Sequence, residues 1–165
     1  MNSNNYGAVI LAAGKGTRMR SPLPKVLHTL LGEPMLSMVV DALRPIFAER
    51  IWSVIGHEAD MLRKTLGDHG GNYVLQKEQL GTGHALAAAW PELEHAGLDY
   101  VLVVNGDTPL IDTQSLESFM QDALKNRADL AFVSLELKSP GSFGRVLRKN
   151  NAVAAIIEAK DNDVA

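Results

Sequence analysis

The chain has 165 residues, no cysteine and a formal net charge of -3. That length suits one domain with a proper core, and a hydrophobic fraction of 46% against 21% charged belongs to a folded protein rather than a disordered one. Without cysteine there is neither a disulfide nor a thiolate metal site, and the mildly acidic balance offers no footprint for nucleic acid or an anionic membrane. The first residues, Met1-Asn2-Ser3-Asn4-Asn5-Tyr6-Gly7, lack the cationic flank and apolar run of a signal peptide, and no apolar stretch approaches a membrane span. A cytoplasmic protein is expected.

Residues 8–13 form a continuous apolar run stopped by Gly14, which suits a parallel strand buried on both faces. Glycines and charged residues follow as far as Arg20, then Pro22 and Pro24, so a long loop is expected. Residues 34–47 read as a helix, with Met35, Met38, Val39, Ala42 and Leu43 along one stripe. Pro34 suits its first turn, and Pro45 is expected to end or kink it. Residues 51–55 predict a second strand ended by Gly56, and residues 61–66 a short helix closed by Gly67. Residues 73–76 read as a short strand running into a polar loop, and residues 84–90 as the start of an alanine-rich helix interrupted by Pro91. Residues 100–104 are another buried strand, followed by Asn105-Gly106-Asp107, and Asp112 or Thr113 can cap a helix running to Leu124. A long strand is expected over 130–137, and segments 146–148 and 153–157 flank Lys149-Asn150-Asn151 as a hairpin. The alternation of strand and helix predicts an α/β fold, a Rossmann-like three-layer sandwich with a mostly parallel sheet. The tail from Glu158 to Ala165 follows a strand without a closing helix, as in a fragment of a longer chain or a disordered end.

Gly14-Lys15-Gly16-Thr17-Arg18-Met19 follows the first strand, where backbone amides can face a ligand at the carboxyl end of a sheet. It is no Rossmann fingerprint, because Met19 stands where a glycine is needed. It is no Walker-type phosphate loop either, because Lys15 is followed by Gly16. What remains is an irregular loop bearing Lys15, Arg18, Arg20 and Lys25, a cation cluster of the kind a triphosphate demands. On residue type alone, Asp107 fits either a hard-cation ligand at a strand end or a turn residue bonded to its own backbone. His28, His57, His69, His84 and His95 lack metal-ligand spacing; His84 is expected on its helix surface or supporting the loop before it.

The segment from Leu11 to Met19, followed by Pro24-Lys25-Val26-Leu27, resembles the signature loop of nucleotidyltransferases acting on sugar 1-phosphates. Gln76-Lys77-Glu78-Gln79-Leu80-Gly81-Thr82-Gly83-His84-Ala85 and Gly106-Asp107-Thr108-Pro109-Leu110 extend the likeness, which runs in order over residues 8–161. Together they are similar to the uridyltransferase domains of bacterial bifunctional enzymes that make UDP-N-acetylglucosamine. The resemblance implies a fold of the nucleotide-diphospho-sugar transferase type. It implies uridylyl transfer from UTP to N-acetylglucosamine 1-phosphate with release of pyrophosphate, for cell-envelope precursor synthesis. It also implies roles for individual residues. Arg18 and Lys25 would be catalytic, contacting triphosphate and sugar-phosphate oxygens. Leu11, Ala12, Ala13 and Gly14 would hold the nucleoside through their backbone, with Lys25 beside them and Gln76, Gly81 and Thr82 at the base. Asp107 would bind Mg²⁺, and Gly144 and Glu158 would meet the sugar, with Lys160 near its phosphate.

The resemblance further implies that residues 1–165 are the N-terminal part of a nucleotidyltransferase domain. The family's second metal ligand, an Asn, its left-handed β-helix acetyltransferase domain and any oligomer contact would lie past Ala165. Two departures bear on the sugar: Asn105 stands where relatives often have Tyr, and Ser142-Phe143-Gly144-Arg145 replaces Gly-Tyr-Gly-Arg. Two other functions remain compatible with the residues. One is a nucleotidyltransferase using another base or acceptor, such as a cytidylyltransferase; the other is a non-catalytic nucleotide-binding module.

Overall fold

The computed structural model describes residues 5–14, 16, 19–150 and 152–159. The chain folds as two compact units, Met1–Gln121 and Asp122–Ala165.

The first unit begins with β1 (Tyr6–Leu11), after which a single 3-10 turn, Lys25–Leu27, leads to a small antiparallel pair, β2 (Thr29–Leu30) and β3 (Glu33–Pro34). Then come α1 (Met35–Phe47), β4 (Ile51–Ile55), α2 (Ala59–Leu66), β5 (Asn72–Leu75), α3 (Thr82–His95), β6 (Tyr100–Asn105) and α4 (Thr113–Lys125). The sheet is parallel throughout, in the order β5-β4-β1-β6. Side chains of a strand alternate between faces, and β1 shows this directly. Ala8 and Ile10 pack with Leu36, Val39, Val40, Leu43 and Phe47 of α1, Leu62 and Leu66 of α2, and Leu116 of α4. Val9 packs on the other face with Trp52, Val54 and the α3 stripe Ala85, Ala89 and Leu93. Every residue of β4 is buried, and its one polar side chain, Ser53, is satisfied by donating from its hydroxyl to the carbonyl of Gly70 at 2.6 Å. The three-layer arrangement expected from the alternation is the one observed.

Helix α1 reaches Phe47 as expected, and two prolines are accommodated inside helices. Pro45 does not end α1, which runs on to Phe47, and Pro91 lies inside α3, which runs on to His95. An interior proline costs about 3 kcal/mol through a lost hydrogen bond and a steric clash. Here Phe47 and Leu93, both buried, lie two residues beyond each proline, and each gains about 1.5–3 kcal/mol on burial. Both prolines, and the residues four positions before them, Asp41 and Ala87, are exposed, so water can satisfy the freed carbonyls. Helix α2 also begins earlier than the apolar pattern indicates, at Ala59.

The second unit contains the end of α4 and one antiparallel hairpin, β7 (Arg145–Lys149) and β8 (Ala152–Ile157), as expected from residues 146–148 and 153–157. The strand expected over 130–137 does not form. Its alternating apolar residues suit a pleated strand, but a strand exists only when a neighbour pairs its amides and carbonyls. Among the described residues none does, and Leu130, Val133 and Leu135 stay largely exposed. No helix among the described residues is long and apolar enough to cross a membrane.

Candidate active site

The chain leaves β1 for β4 on one side and later returns to β6 on the other, so the order of strands reverses between β1 and β6. Connections from adjacent strands there depart in opposite directions and leave a crevice beyond the carboxyl ends, the usual ligand position in open α/β sheets. A cavity of about 670 Å³ occupies that place, within the size range of small-molecule sites.

One wall is the chain leaving β1: Leu11, Ala12, Ala13 and Gly14. Gly16 also lines the cavity and has φ +58, a conformation L-residues rarely take. A Cβ there would lie 2.7 Å from Cβ of Lys25, so a glycine is what lets the loop pass directly over the lysine. Lys25 opens the 3-10 turn, and its Nζ is ion-paired to Oδ2 of Asp107, joining the loop after β1 to the turn after β6. That turn is tied by Thr108, whose hydroxyl donates to the carbonyl of Asn105 at 2.7 Å. Asp107 lies in that turn, and its side chain bonds Lys25 rather than its own backbone. Its carboxylate faces the cavity, paired with Lys25, and both side chains remain about one-third exposed.

The opposite wall comes from the connection between β5 and α3. The amide N–H of Gln76 donates to the carbonyl of Ile55 at 2.8 Å, extending the sheet by one residue, and its side chain is buried at 3% exposure. Nε2 of Gln76 donates to the carbonyl of Gly81 at 3.2 Å and lies 2.9 Å from Nδ1 of His84. Gln79 donates from Nε2 to the carbonyl of Gln76 at 3.1 Å and closes the turn from inside. Gly81, at φ +109, bends the chain into α3, so that Thr82 and Ala85 of its first turn reach the cavity.

Nine of the residues singled out in the sequence, Leu11, Ala12, Ala13, Gly14, Lys25, Gln76, Gly81, Thr82 and Asp107, thus line one cavity. Arg18 and Lys160 lie outside the described residues. Gly144 and Glu158 belong to the second unit and are neighbours there: a Cβ on Gly144 would meet the carbonyl oxygen of Ile157 at 3.1 Å. Asn105, noted in the sequence only as a departure, also lines the cavity, and Gln79, Val26 and Ala85 were not singled out at all. Gln79 sits within the segment that carried the resemblance, and its amide was the available signal. Among the described residues no three His, Asp or Glu side chains converge as a metal cage.

A parallel sheet with helices on both faces, and a cavity at the reversal of strand order, define an open α/β protein with a ligand-sized cavity at its switch point. The chain belongs to the family of MobA-like NTP transferase domains, which matches residues 8–159. It is 56% identical over 163 residues to the bifunctional protein GlmU of Nitratidesulfovibrio vulgaris (strain DP4), covering 99% of this chain and 35% of that protein. It is 54% identical over 167 residues to the bifunctional protein GlmU of Oleidesulfovibrio alaskensis, covering 100% of this chain and 36% of that protein. The chain therefore spans about a third of the length of the curated relatives it matches. Among solved structures, HddC from Yersinia pseudotuberculosis shares the fold, with a TM-score of 0.70 at 23% identity over 93% of this chain and 69% of that one.

Proposed function

We propose that this chain is the nucleotide-binding part of a uridylyltransferase, residues 1–165 forming the N-terminal portion of its catalytic domain. The reaction joins N-acetylglucosamine 1-phosphate to the α-phosphorus of UTP, giving UDP-N-acetylglucosamine and pyrophosphate for cell-envelope precursors in the cytoplasm. The reading rests on the 56% identity to the bifunctional protein GlmU together with the resemblance of the signature segments to uridyltransferase domains of bacterial bifunctional enzymes. The single observation that carries it is the Lys25–Asp107 pair at the mouth between β1 and β6, facing Gln76, Gly81 and Thr82 across one cavity.

The chemistry asks little covalent work of the protein. A phosphate monoester with a second pKa near 6 is already ionised at neutral pH, so its oxygen attacks without a general base. The demands are in-line placement and neutralisation of several negative charges. Lys25 is assigned to the phosphate oxygens, and Arg18 is assigned there with it on the resemblance alone. The backbone from Leu11 to Gly14 is assigned to the nucleoside, Gln76, Gly81 and Thr82 to the base, and Gly144 and Glu158 to the sugar.

Asp107 presents one hard carboxylate to the cavity, which suits Mg²⁺, an ion that takes one or two carboxylates and completes its shell with waters and substrate phosphates. When bound it would draw the phosphates together and offset their charge.

A pyrophosphate-release assay over UTP, CTP, GTP and ATP against a series of sugar 1-phosphates tests the reading. Release is expected with UTP and N-acetylglucosamine 1-phosphate. Thermal stabilisation by each nucleotide reports binding without turnover, and equal stabilisation by all four overturns the uridine assignment.

A further inference from the structure

We propose that His84 is a positioning residue that fixes which end of the Gln76 amide meets the nucleotide base. It would thereby select bases presenting a ring N–H, such as uracil, over cytosine. The inference rests on the base-binding role given to Gln76 above and adds what sets the selectivity.

A glutamine amide carries two N–H donors at one end and one acceptor oxygen at the other. The two ends are nearly isosteric, so only the partners decide which faces a ligand. Gln76 is 3% exposed, and its Nε2 lies 3.2 Å from the carbonyl oxygen of Gly81. A backbone carbonyl only accepts, so the atom facing it must carry hydrogen; the reversed amide would set two oxygens against each other. The second partner of Nε2 is Nδ1 of His84, at 2.9 Å. That contact requires a lone pair on Nδ1, hence a neutral imidazole with its proton on Nε2. Both amide hydrogens are then engaged. Oε1 accepts no hydrogen bond from the described residues, and Gln76 lines the cavity.

Gln76 therefore offers the base an acceptor and no donor. Uracil presents N3–H to such an acceptor. Cytosine presents a lone pair at N3, and two lone pairs face to face leave both groups unpaired in a site that has excluded water. Gly81 alone holds the amide by one long hydrogen bond. Without His84 the amide can turn and offer N–H to cytosine at the loss of that bond. His84 is the second tether, which makes the turn unfavourable. The imidazole reaches Gln76 because His84 lies in the first turn of α3, directly after the bend at Gly81.

The test measures dissociation constants for UTP, CTP and N3-methyl-UTP with the wild type, His84→Leu, His84→Asn and Gln76→Ala. His84 is exposed, so its variants are expected to fold, and circular dichroism checks this. In the wild type UTP should bind ahead of both CTP and N3-methyl-UTP. In His84→Leu the ratio of UTP to CTP affinity should fall about tenfold, mainly by a gain for CTP. His84→Asn should keep the ratio, because its Oδ1 stands where Nδ1 stood and accepts the same hydrogen. An unchanged ratio in His84→Leu, or equal loss in the Asn and Leu variants, overturns the proposal. An unchanged ratio in Gln76→Ala overturns instead the base-binding role itself, so the two failures are told apart.

Discussion

Lys25 and Asp107 neutralise each other on one side of the cavity, and that pairing sets up opposite consequences for removing either one. The pair is about one-third exposed, so breaking it should cost the fold no more than about 1 kcal/mol. Its effect on ligand binding should be larger and of opposite sign for the two partners. With Mg²⁺ chelated, Asp107 repels a triphosphate and Lys25 attracts it. Lys25→Ala should then weaken UTP by about tenfold to a hundredfold, the loss expected for one charge-assisted hydrogen bond of about 1.5–3 kcal/mol. Asp107→Asn should bind UTP as well as the wild type or better in EDTA, yet lose the gain that Mg²⁺ gives the wild type. Calorimetric titration of UTP with and without Mg²⁺ reads both. A Lys25→Ala variant that melts early but keeps its UTP affinity would make the loop a structural device. An Asp107→Asn variant with an intact Mg²⁺ effect would remove that residue from any metal role.

At the scale of elements, α4 gives a pH-dependent check on the fold itself. Asp112 precedes the helix and accepts from the backbone amide of Ser115 at 2.8 Å and from its hydroxyl at 2.7 Å. The Ser115 hydroxyl first, and then the backbone amide, hold the Asp112 carboxyl below its ordinary value of 3.8. A group whose pKa is depressed by folding stabilises the native state above its unfolded value, and that contribution is lost as pH falls through the folded one. Asp112→Ala should therefore lower Tm at neutral pH, with the gap to wild type closing below about pH 4. A gap that persists into strong acid would show that the cap acts through something other than the ionised carboxyl. This cap was legible in the sequence as one of two candidates, because a short polar side chain just before an apolar-periodic stretch has few other uses. Strand β1 was equally legible, since burial on both faces leaves a continuous apolar run over residues 8–11, whereas β6, read as buried, keeps Tyr100 and Val103 exposed at the sheet edge. Residues 130–137 show the limit: their own pattern is that of a strand, but pairing depends on a neighbour the pattern does not contain. Likewise Leu11 to Gly14 and Asp107 stand at strand ends marked by glycine, whereas the grip of His84 and Gln79 on Gln76 depends on how one turn closes.

At the scale of the whole molecule, burial is distributed unequally between the two units. Among the described residues, every buried residue of both apolar clusters lies between Ala8 and Leu116, and the second unit contributes none. A two-stranded hairpin without a core is marginal on its own, so β7 and β8 should open independently of the sheet. A ligand that binds only the native state stabilises what it touches by about 2.7 kcal/mol at a hundredfold excess over Kd, which slows exchange governed by that opening by about a hundredfold. UTP at that concentration should slow hydrogen exchange in β1, β4, β6 and the first turn of α3, all of which frame the cavity or its core. Amides of Val146, Leu147, Val153 and Ala155 in the hairpin should exchange quickly and stay unchanged by the nucleotide. Protection measured residue by residue by mass spectrometry or NMR separates the two patterns. Equal slowing in both units would mean that they unfold as one, and protection confined to the hairpin would move the nucleotide out of the cavity between β1 and β6.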